Sequence, residues 1–422
     1  MRTSLVATAV AFALGAGSLA ADPAHAAPHH HRAAKAAAAA PAPDVAAELA
    51  SRDREIAALK DAVSKLSEKV DELETRNDAQ SVVNVNTAKD VESLQVTAKK
   101  TEKLDKLVND TSVGGKVFLD ISQLDQKKNG VRTANQGVGF DVKRGYLIVN
   151  HAFNDTWSAN LTTDFNYVAL DGETQLFVKN LYLQGKFSDA FVFRAGAAPM
   201  PWIPYAEGFY GYRYVDKLIV DRLSFGTTAD WGLNANGKLA DGRVDYSVSA
   251  VNGGGFRNPT RTKRMDVEGR VGFSPIANTV IAIGGYSGTL GKETETTKAL
   301  HTADRGDAMI AYAKGNNRLG AEYFTARNWT TVLSPLEDKA TGYSFWGSYG
   351  FTDKFSVFGR YDRAHPSKDL DKALTDRFWN AGVQWDVRKG LKVAAVYKNE
   401  DLRDNANDTK TEEFGIFGEV TF

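Results

Sequence analysis

Two periodicities divide this chain. Between Asp44 and Asp110 the apolar residues recur with helical spacing. Ile56, Leu59, Val63, Leu66, Val70 and Leu73 are separated by alternating steps of three and four, with Lys60, Asp61, Lys65 and Glu68 around them. That is an unbroken a/d seam, so residues 44–110 are predicted as a coiled coil. The strongest part is about 45 Å long if straight. Asn77 and Gln80 then occupy seam positions, and the pattern weakens between Ser81 and Thr87. It resumes more loosely through Val91, Leu94, Ala98 and Leu104. Valine at a with leucine at d leaves two strands and three both open. The other reading is a single helix whose apolar face packs on the rest of its own chain.

From Gly114 the period becomes two and stays so. Val117, Leu119 and Ile121 alternate with Lys116, Asp120 and Ser122. Trp157, Ala159, Leu161, Thr163 and Phe165 alternate with Ser158, Asn160, Thr162 and Asp164. The same pattern holds around Val248, Val267, Val357 and Val383. Several runs reach about ten residues, the length with which a tilted strand crosses a bilayer. Short Gly/Asn/Asp/Pro turns, such as Asn154-Asp155, Ser188-Asp189 and Lys389-Gly390, alternate with longer connections. The long ones run 124–137, 169–173, 198–227, 252–263, 288–304, 327–339, 364–375 and 399–410. Seven short and eight long connections make sixteen strands. The predicted fold class is an all-β, 16-stranded antiparallel transmembrane β-barrel over 114–422, preceded by the α-helical coiled-coil segment. A soluble β-sandwich or propeller would need neither lipid-length strands nor long loops at one end only. Short turns belong on the periplasmic rim, which puts the predicted coiled coil in the periplasm. In the last strand Phe414, Ile416, Val420 and Phe422 should face lipid, and Glu413 and Glu419 the pore. This strand should close the barrel on Lys116–Ser122, with Phe422 as a terminal aromatic signal for the outer-membrane assembly machinery.

Composition narrows the functional classes. Lys+Arg and Asp+Glu are both 52, which excludes a strongly basic nucleic-acid binder. With no cysteine there is no disulfide, thiolate metal site or cysteine nucleophile. Met1-Arg2, the apolar Val6–Leu14 and the small-x-small triplet Ala24-His25-Ala26 predict a signal peptide over 1–26 and hence export. Ser18-Leu19-Ala20 is a second cleavage option. No lipobox cysteine follows, so a lipoprotein is not expected. Residues 27–43 read as an Ala/Pro/His-rich tether in which His29–His31 form a solvated spacer. His151, His301 and His365 lack a nucleophile motif beside them. No enzyme activity, cofactor or metal site is expected.

The longest connection carries the candidate chemistry. It holds Pro199, Pro201, Trp202, Pro204, Tyr205, Phe209, Tyr210, Tyr212 and Tyr214, too aromatic for a solvated external loop. Folded inward, it would form a pore constriction with Arg213, Lys217 and Arg222 as cations and Glu207, Asp216 and Asp221 offsetting them. Used outside, it would serve subunit packing. The short connection 169–173 could latch onto a neighbouring subunit. Extending the alternation makes Arg194, Arg243, Arg264, Arg270, Arg318 and Arg360 pore-lining. Facing is ambiguous in the second, fourth, ninth and tenth strands, which leaves Lys179 unassigned and Arg144 unassigned by alternation. Predicted lumen acids nearly match the bases, and residues 114–422 carry 38 Lys+Arg against 36 Asp+Glu. Bulk charge therefore supplies no strong anion selectivity.

The order Lys143-Arg144-Gly145-Tyr146-Leu147, Asn154-Asp155-x-Trp157, Asp164-Phe165, Gly196, Pro201-Trp202, Glu207, Arg213-Tyr214, Asp221-Arg222 and Asp230-Trp231-Gly232 resembles the phosphate-selective porin O/P family. The motifs cover about 114–273. The resemblance implies a sixteen-stranded homotrimer in outer-membrane lipid, with the loop after the fifth strand folded into the pore. It also implies an anion path lined by Arg144, Arg213 and Arg222. Met200 stands where the family pattern carries a basic residue. The coiled coil resembles the arm of trimeric sugar porins. The expected function is passive diffusion of small hydrophilic solutes and ions, with at most a weak anion preference. The alternative is an envelope tether, in which the barrel anchors an arm that grips peptidoglycan or another layer.

Overall fold

The computed structural model describes residues 45–168 and 173–422. The signal peptide, the tether, Asp44 and most of the proposed latch connection lie outside the described residues.

The first element is one unbroken helix, α1 (Val45–Asp110), 66 residues or about 100 Å long. It carries straight through the weak stretch at 81–87. Heptad register also survives there: continuing the alternating steps from Leu73 gives Asn77, Gln80, Asn84 and Thr87, then Val91, Leu94 and Ala98. Gln80 donates to Asn84 at 3.0 Å along the same face. The seam residues Ile56, Leu59, Val63, Leu66, Val70 and Leu73 are all exposed.

Sixteen strands follow: β1 (Thr111–Lys128), β2 (Val131–Ala152), β3 (Trp157–Val168), β4 (Glu173–Lys186), β5 (Val192–Pro199), β6 (Ala229–Leu239), β7 (Val244–Val251), β8 (Asp266–Phe273), β9 (Thr279–Gly288), β10 (Ala303–Lys314), β11 (Asn317–Arg327), β12 (Lys339–Gly350), β13 (Phe355–His365), β14 (Thr375–Arg388), β15 (Leu391–Arg403) and β16 (Asp408–Thr421). Each pairs antiparallel with its neighbours, and β16 closes on β1. The closing register runs from Lys116↔Thr421 to Ser122↔Gly415. Phe414, Ile416 and Phe422 point outward and are exposed, as expected. The Phe422 backbone pairs both ways with Gly115. A Cβ at Gly115 would sit 2.3 Å from the Phe422 ring, so glycine there lets the ring lie against the backbone of β1.

Two connections expected to be long are not. Residues 124–137 are a continuous hairpin, because β1 and β2 run on for 18 and 22 residues to a two-residue turn at Asn129-Gly130. Both turn residues have positive φ, 53° and 79°, the geometry that Asn-Gly favours in a tight hairpin. The Asn-Gly pair was the available signal. Residues 399–410 are likewise mostly strand, with only 404–407 outside it.

Alternation fails within β2 and β4, with further register shifts nearer the strand ends at Asp125/Lys127 and Asp386/Arg388. Phe118 pairs with Arg144 and Leu119 with Val142, so Lys143 is an extra residue in β2. Thr162 pairs with Asn180 and Thr163 with Val178, so Lys179 is an extra residue in β4. These are β-bulges. Before the bulge in β2, Val138 and Phe140 face outward; after it, Leu147 does. In β4, Leu176 precedes the bulge, and Leu181 and Leu183 follow it. The ambiguity in the second and fourth strands was therefore a real change of facing. In β9 and β10 the cause differs. Val280, Ala282, Met309 and Ala311 face inward but are buried in an apolar cluster, so both faces of those strands read as apolar.

Candidate functional site

That cluster exists because the connection after β5 folds into the lumen. Residues 200–228, here L3, contain α2 (Ile203–Tyr210) and the short turn of helix α3 (Ile219–Arg222). Pro204 opens α2 within its first turn, and Gly211 closes it in the left-handed region at φ 79°, its N–H donating to the Glu207 carbonyl at 2.9 Å. Trp202, Tyr210, Tyr214, Leu218 and Ile219 are fully buried. Opposite them the wall offers Ala282, Ala311, Ala326, Ala340, Ala364 and Ala394, small residues that make room for the bulky loop side chains. Tyr212 stacks on Phe358 of β13 with centroids 4.2 Å apart, and Tyr210 meets Trp346 of β12 edge-on.

Polar clasps fix the loop to the same wall. Trp202 donates from its ring nitrogen to Glu322 at 2.7 Å and from its backbone to Glu268 at 2.8 Å. Glu268 and Asp307 hold Arg305, at 3.1 and 2.9 Å, and Arg305 donates to the Phe225 carbonyl at 2.5 Å. Tyr205 donates to Asp245, and Tyr214 donates to Gln384 at 2.8 Å. Lys398 on β15 reaches the Val215 carbonyl at 2.9 Å, Asp216 at 3.2 Å and Glu413 at 3.1 Å.

The expected site residues separate accordingly. Arg222 is no free cation of a constriction. It is buried against Asp362, Asp376 and Glu400 at 3.2, 2.5 and 2.5 Å, with Phe378 beneath it. Asp216 is tied to Lys398. Arg213 pairs with Glu207 at 2.7 Å and Asp221 at 3.4 Å, and Lys217 approaches Asp221 at 3.7 Å. These four form the loop surface turned away from the clasped wall.

The pore-lining arginines divide too. Arg270 pairs with Asp245, lies 3.4 Å from the Tyr205 ring centroid and donates to the Pro201 carbonyl. Arg360 is completely buried with Asp362 under Tyr210. Arg318 donates to the Gly208 and Phe209 carbonyls at the C-terminal end of α2. All three face inward and fasten the loop; Arg360 is fully buried, whereas Arg270 and Arg318 also border open space, at the short-turn rim and beside Lys179 respectively. Arg243 and Arg264 lie in connections outside the strands, Arg264 paired with Glu293 at 3.2 Å. The alternation had extended β7 and β8 beyond their ends. Arg194, half-buried, bonds Gln184 at 2.8 Å, and Arg144 pairs with Asp164 at 2.8 Å.

Across the lumen from the clasped wall, β1–β6 keep a polar inner face. Asn160, Thr162, Asp164, Gln184 and Asn234 lie there, with Phe118 the wall's one residue in the apolar cluster among the described residues. Lys179, re-aimed by its bulge, lies 4.4 Å from the Tyr146 ring centroid and donates to the Tyr146 hydroxyl at 3.2 Å. Among the described residues it has no carboxylate partner. A space of about 460 Å³ separates this wall from L3, bordered by Lys179, Tyr146, Arg213, Glu207, Lys116 and Glu419. Another of about 1210 Å³ lies at the short-turn rim, beside Lys186, Arg194, Lys238 and Asp245. Lys143, the other bulge residue, pairs with Asp120 at 3.0 Å and shares the Phe417 ring with Lys398. Period-two reasoning missed both lysines because a bulge is invisible to it. Arg257 was missed because its connection was read only as a loop.

No family model matches this chain, and no curated protein matches it. Solved structures do. The outer-membrane channel DcaP of Acinetobacter baumannii superposes with TM-score 0.56 at 12% identity, covering 74% of this chain and 97% of that one. Salmonella typhi OmpF gives 0.52 at 11%, covering 74% and 97%. An anion-selective porin from Comamonas acidovorans gives 0.51 at 11%, covering 74% and 99%. The barrel thus has the fold of outer-membrane porins.

Proposed function

We propose that this protein is an outer-membrane channel for passive diffusion of small hydrophilic solutes, with an anion preference set where L3 faces β2–β4. One observation carries the reading. L3 fills one side of the lumen with a neutralised, apolar filling and leaves the other side polar, with Arg144, Lys179, Arg213 and Lys217 along it against Asp164, Glu207 and Asp221. A narrow passage with an excess of fixed positive charge favours anions even when the whole barrel is nearly balanced. The likeness to the phosphate-selective porins supports the same placement for Arg144 and Arg213, although Met200 still departs from that pattern.

The exposed seam of α1 supports self-association of a periplasmic arm, and the porin fold favours a trimer. Phe422, seated on Gly115, is the candidate signal for assembly. An envelope tether, gripping peptidoglycan through the arm, would leave the open wall and its cations without a role. Planar-bilayer recording of the purified protein separates the two. Stepwise channels whose reversal potential in a KCl gradient follows chloride are expected. A closed barrel, or a reversal potential that follows potassium, would overturn this reading.

A further inference from the structure

At the long-loop rim a cavity of about 560 Å³ lies between the end of L3 and the connections after β7, β9 and β11. That is within the size range of small-molecule sites. Its aromatic wall is held in place. Trp329 donates its ring N–H to the Ser224 carbonyl of L3 at 2.9 Å, and its ring meets Tyr286 at 5.0 Å. Tyr286 in turn donates to Asp266. The Phe256 carbonyl accepts from Trp231 at 3.1 Å, which fixes the backbone beside Arg257.

The cations of this cavity are not used in the same way. Arg257 lays its guanidinium over Phe177 of β4 and over Phe256, 4.6 and 5.5 Å from their centroids. That stacking orients the planar fork while leaving its N–H groups free to meet a carboxylate. Lys292 borders the same space. Among the described residues neither has a carboxylate partner; nearby Glu293 and Glu295 are taken by Arg264 and Lys263. Glu268, also on the lining, is already engaged by Arg305 and the Trp202 backbone. The cavity therefore combines a rigid aromatic surface with two cations lacking counter-charges.

We propose that this cavity is a loading site for small carboxylates that carry a flat ring, with the ring against Trp329 and Phe256 and the carboxylate on Arg257 and Lys292. It deepens the channel reading, since it supplies a resting place at the rim before the passage beside Lys179. Both recognition elements are required. Acetate and inorganic phosphate offer charge alone, and glucose offers a ring face without charge. A guanidinium–carboxylate contact and ring contact together should give benzoate about a tenfold advantage over acetate.

The test is direct binding to the detergent-purified full chain by saturation-transfer NMR, which does not depend on conduction. Benzoate should bind more tightly than acetate, phosphate or glucose. Arg257→Gln with Lys292→Gln should lower benzoate affinity about tenfold. Phe256→Leu, which removes a ring and keeps the backbone contact, should reduce the benzoate advantage while leaving acetate unchanged. Equal binding of acetate or phosphate, or benzoate affinity indifferent to both variants, would overturn the site. Benzoate binding by a protein that forms no channels would sink the channel reading and leave the site standing.

Discussion

The two halves of the lumen use the same residue types for opposite ends. On the β7–β15 side, Arg270, Arg305 and Arg360 of the wall and Arg222 of L3 each meet one or more carboxylates where loop and wall touch. On the β1–β6 side, Lys179 meets only a tyrosine, and Arg144 keeps a single acid. Burial makes the first set structural. A buried charge must be matched, and once matched it projects little field into the pore. Lys179 borders the open space beside L3 and Arg144 stays partly exposed, so on the proposed channel reading their charge acts on a passing solute. Counting charges around a barrel therefore says less than knowing which wall the loop covers.

The sharpest way to break this contrast is Arg222→Ala. It leaves Asp362 and Asp376 buried without their shared partner, a loss of about 3–5 kcal/mol. L3 should come away from the wall. Single-channel conductance should rise and the urea midpoint of the barrel should fall. Unchanged conductance would mean that L3 does not depend on this clasp.

On the open wall the signs reverse. Lys179→Glu should move the reversal potential toward cation preference while costing about 1 kcal/mol or less, one modest hydrogen bond. A large loss of stability with unaltered selectivity would put Lys179 among the clasps.

The smallest effect belongs to the outer loops. Asp338, in the connection after β11, accepts backbone N–H bonds from Lys339, Lys368 and Asp369 at 2.8–3.1 Å. Burial alone would raise its pKa, but these bonds and the Ser367 hydroxyl together hold it below the ordinary carboxylate value. A depressed pKa stabilises above the unfolded value, and that contribution is lost as pH falls through the folded one. Protease cleavage within 328–338 should thus accelerate only below about pH 4, and Asp338→Asn should remove that pH dependence. Cleavage that accelerates already at neutral pH would point elsewhere.

Much of the fold could be read from the chain. Sixteen strands, the closing register and the outward face of β16 follow from period-two alternation, because one side of each strand meets an apolar medium. The inward course of L3 was suggested by its aromatic excess. Its partners were not, since burial beneath a loop gives β9 and β10 two apolar faces and erases their alternation. The role of Arg222 was misread for the same reason. An arginine in a loop carries no mark of the three acids that distant strands bring to it. Lys143 and Lys179 were hidden by the bulges themselves, and Asn129-Gly130 was legible but passed over.

Those bulges have a consequence for how this gene can tolerate change. Each is one extra letter in the two-letter code of the strand, skipped by the pairing with the neighbouring strand. Lys179 replaced by alanine or glutamate keeps the phase, with Leu181 and Leu183 still outward. Lys179 removed altogether would close the bulge, making Val178 and Asn180 consecutive partners of Thr163 and Thr162, so that Leu176, Val178, Leu181 and Leu183 all stay outward. Substitution at 179 should yield a folded, heat-modifiable barrel on a gel. Deletion of the same codon should yield one too, whereas deletion of a paired residue such as Ala159 in unbulged β3 should not.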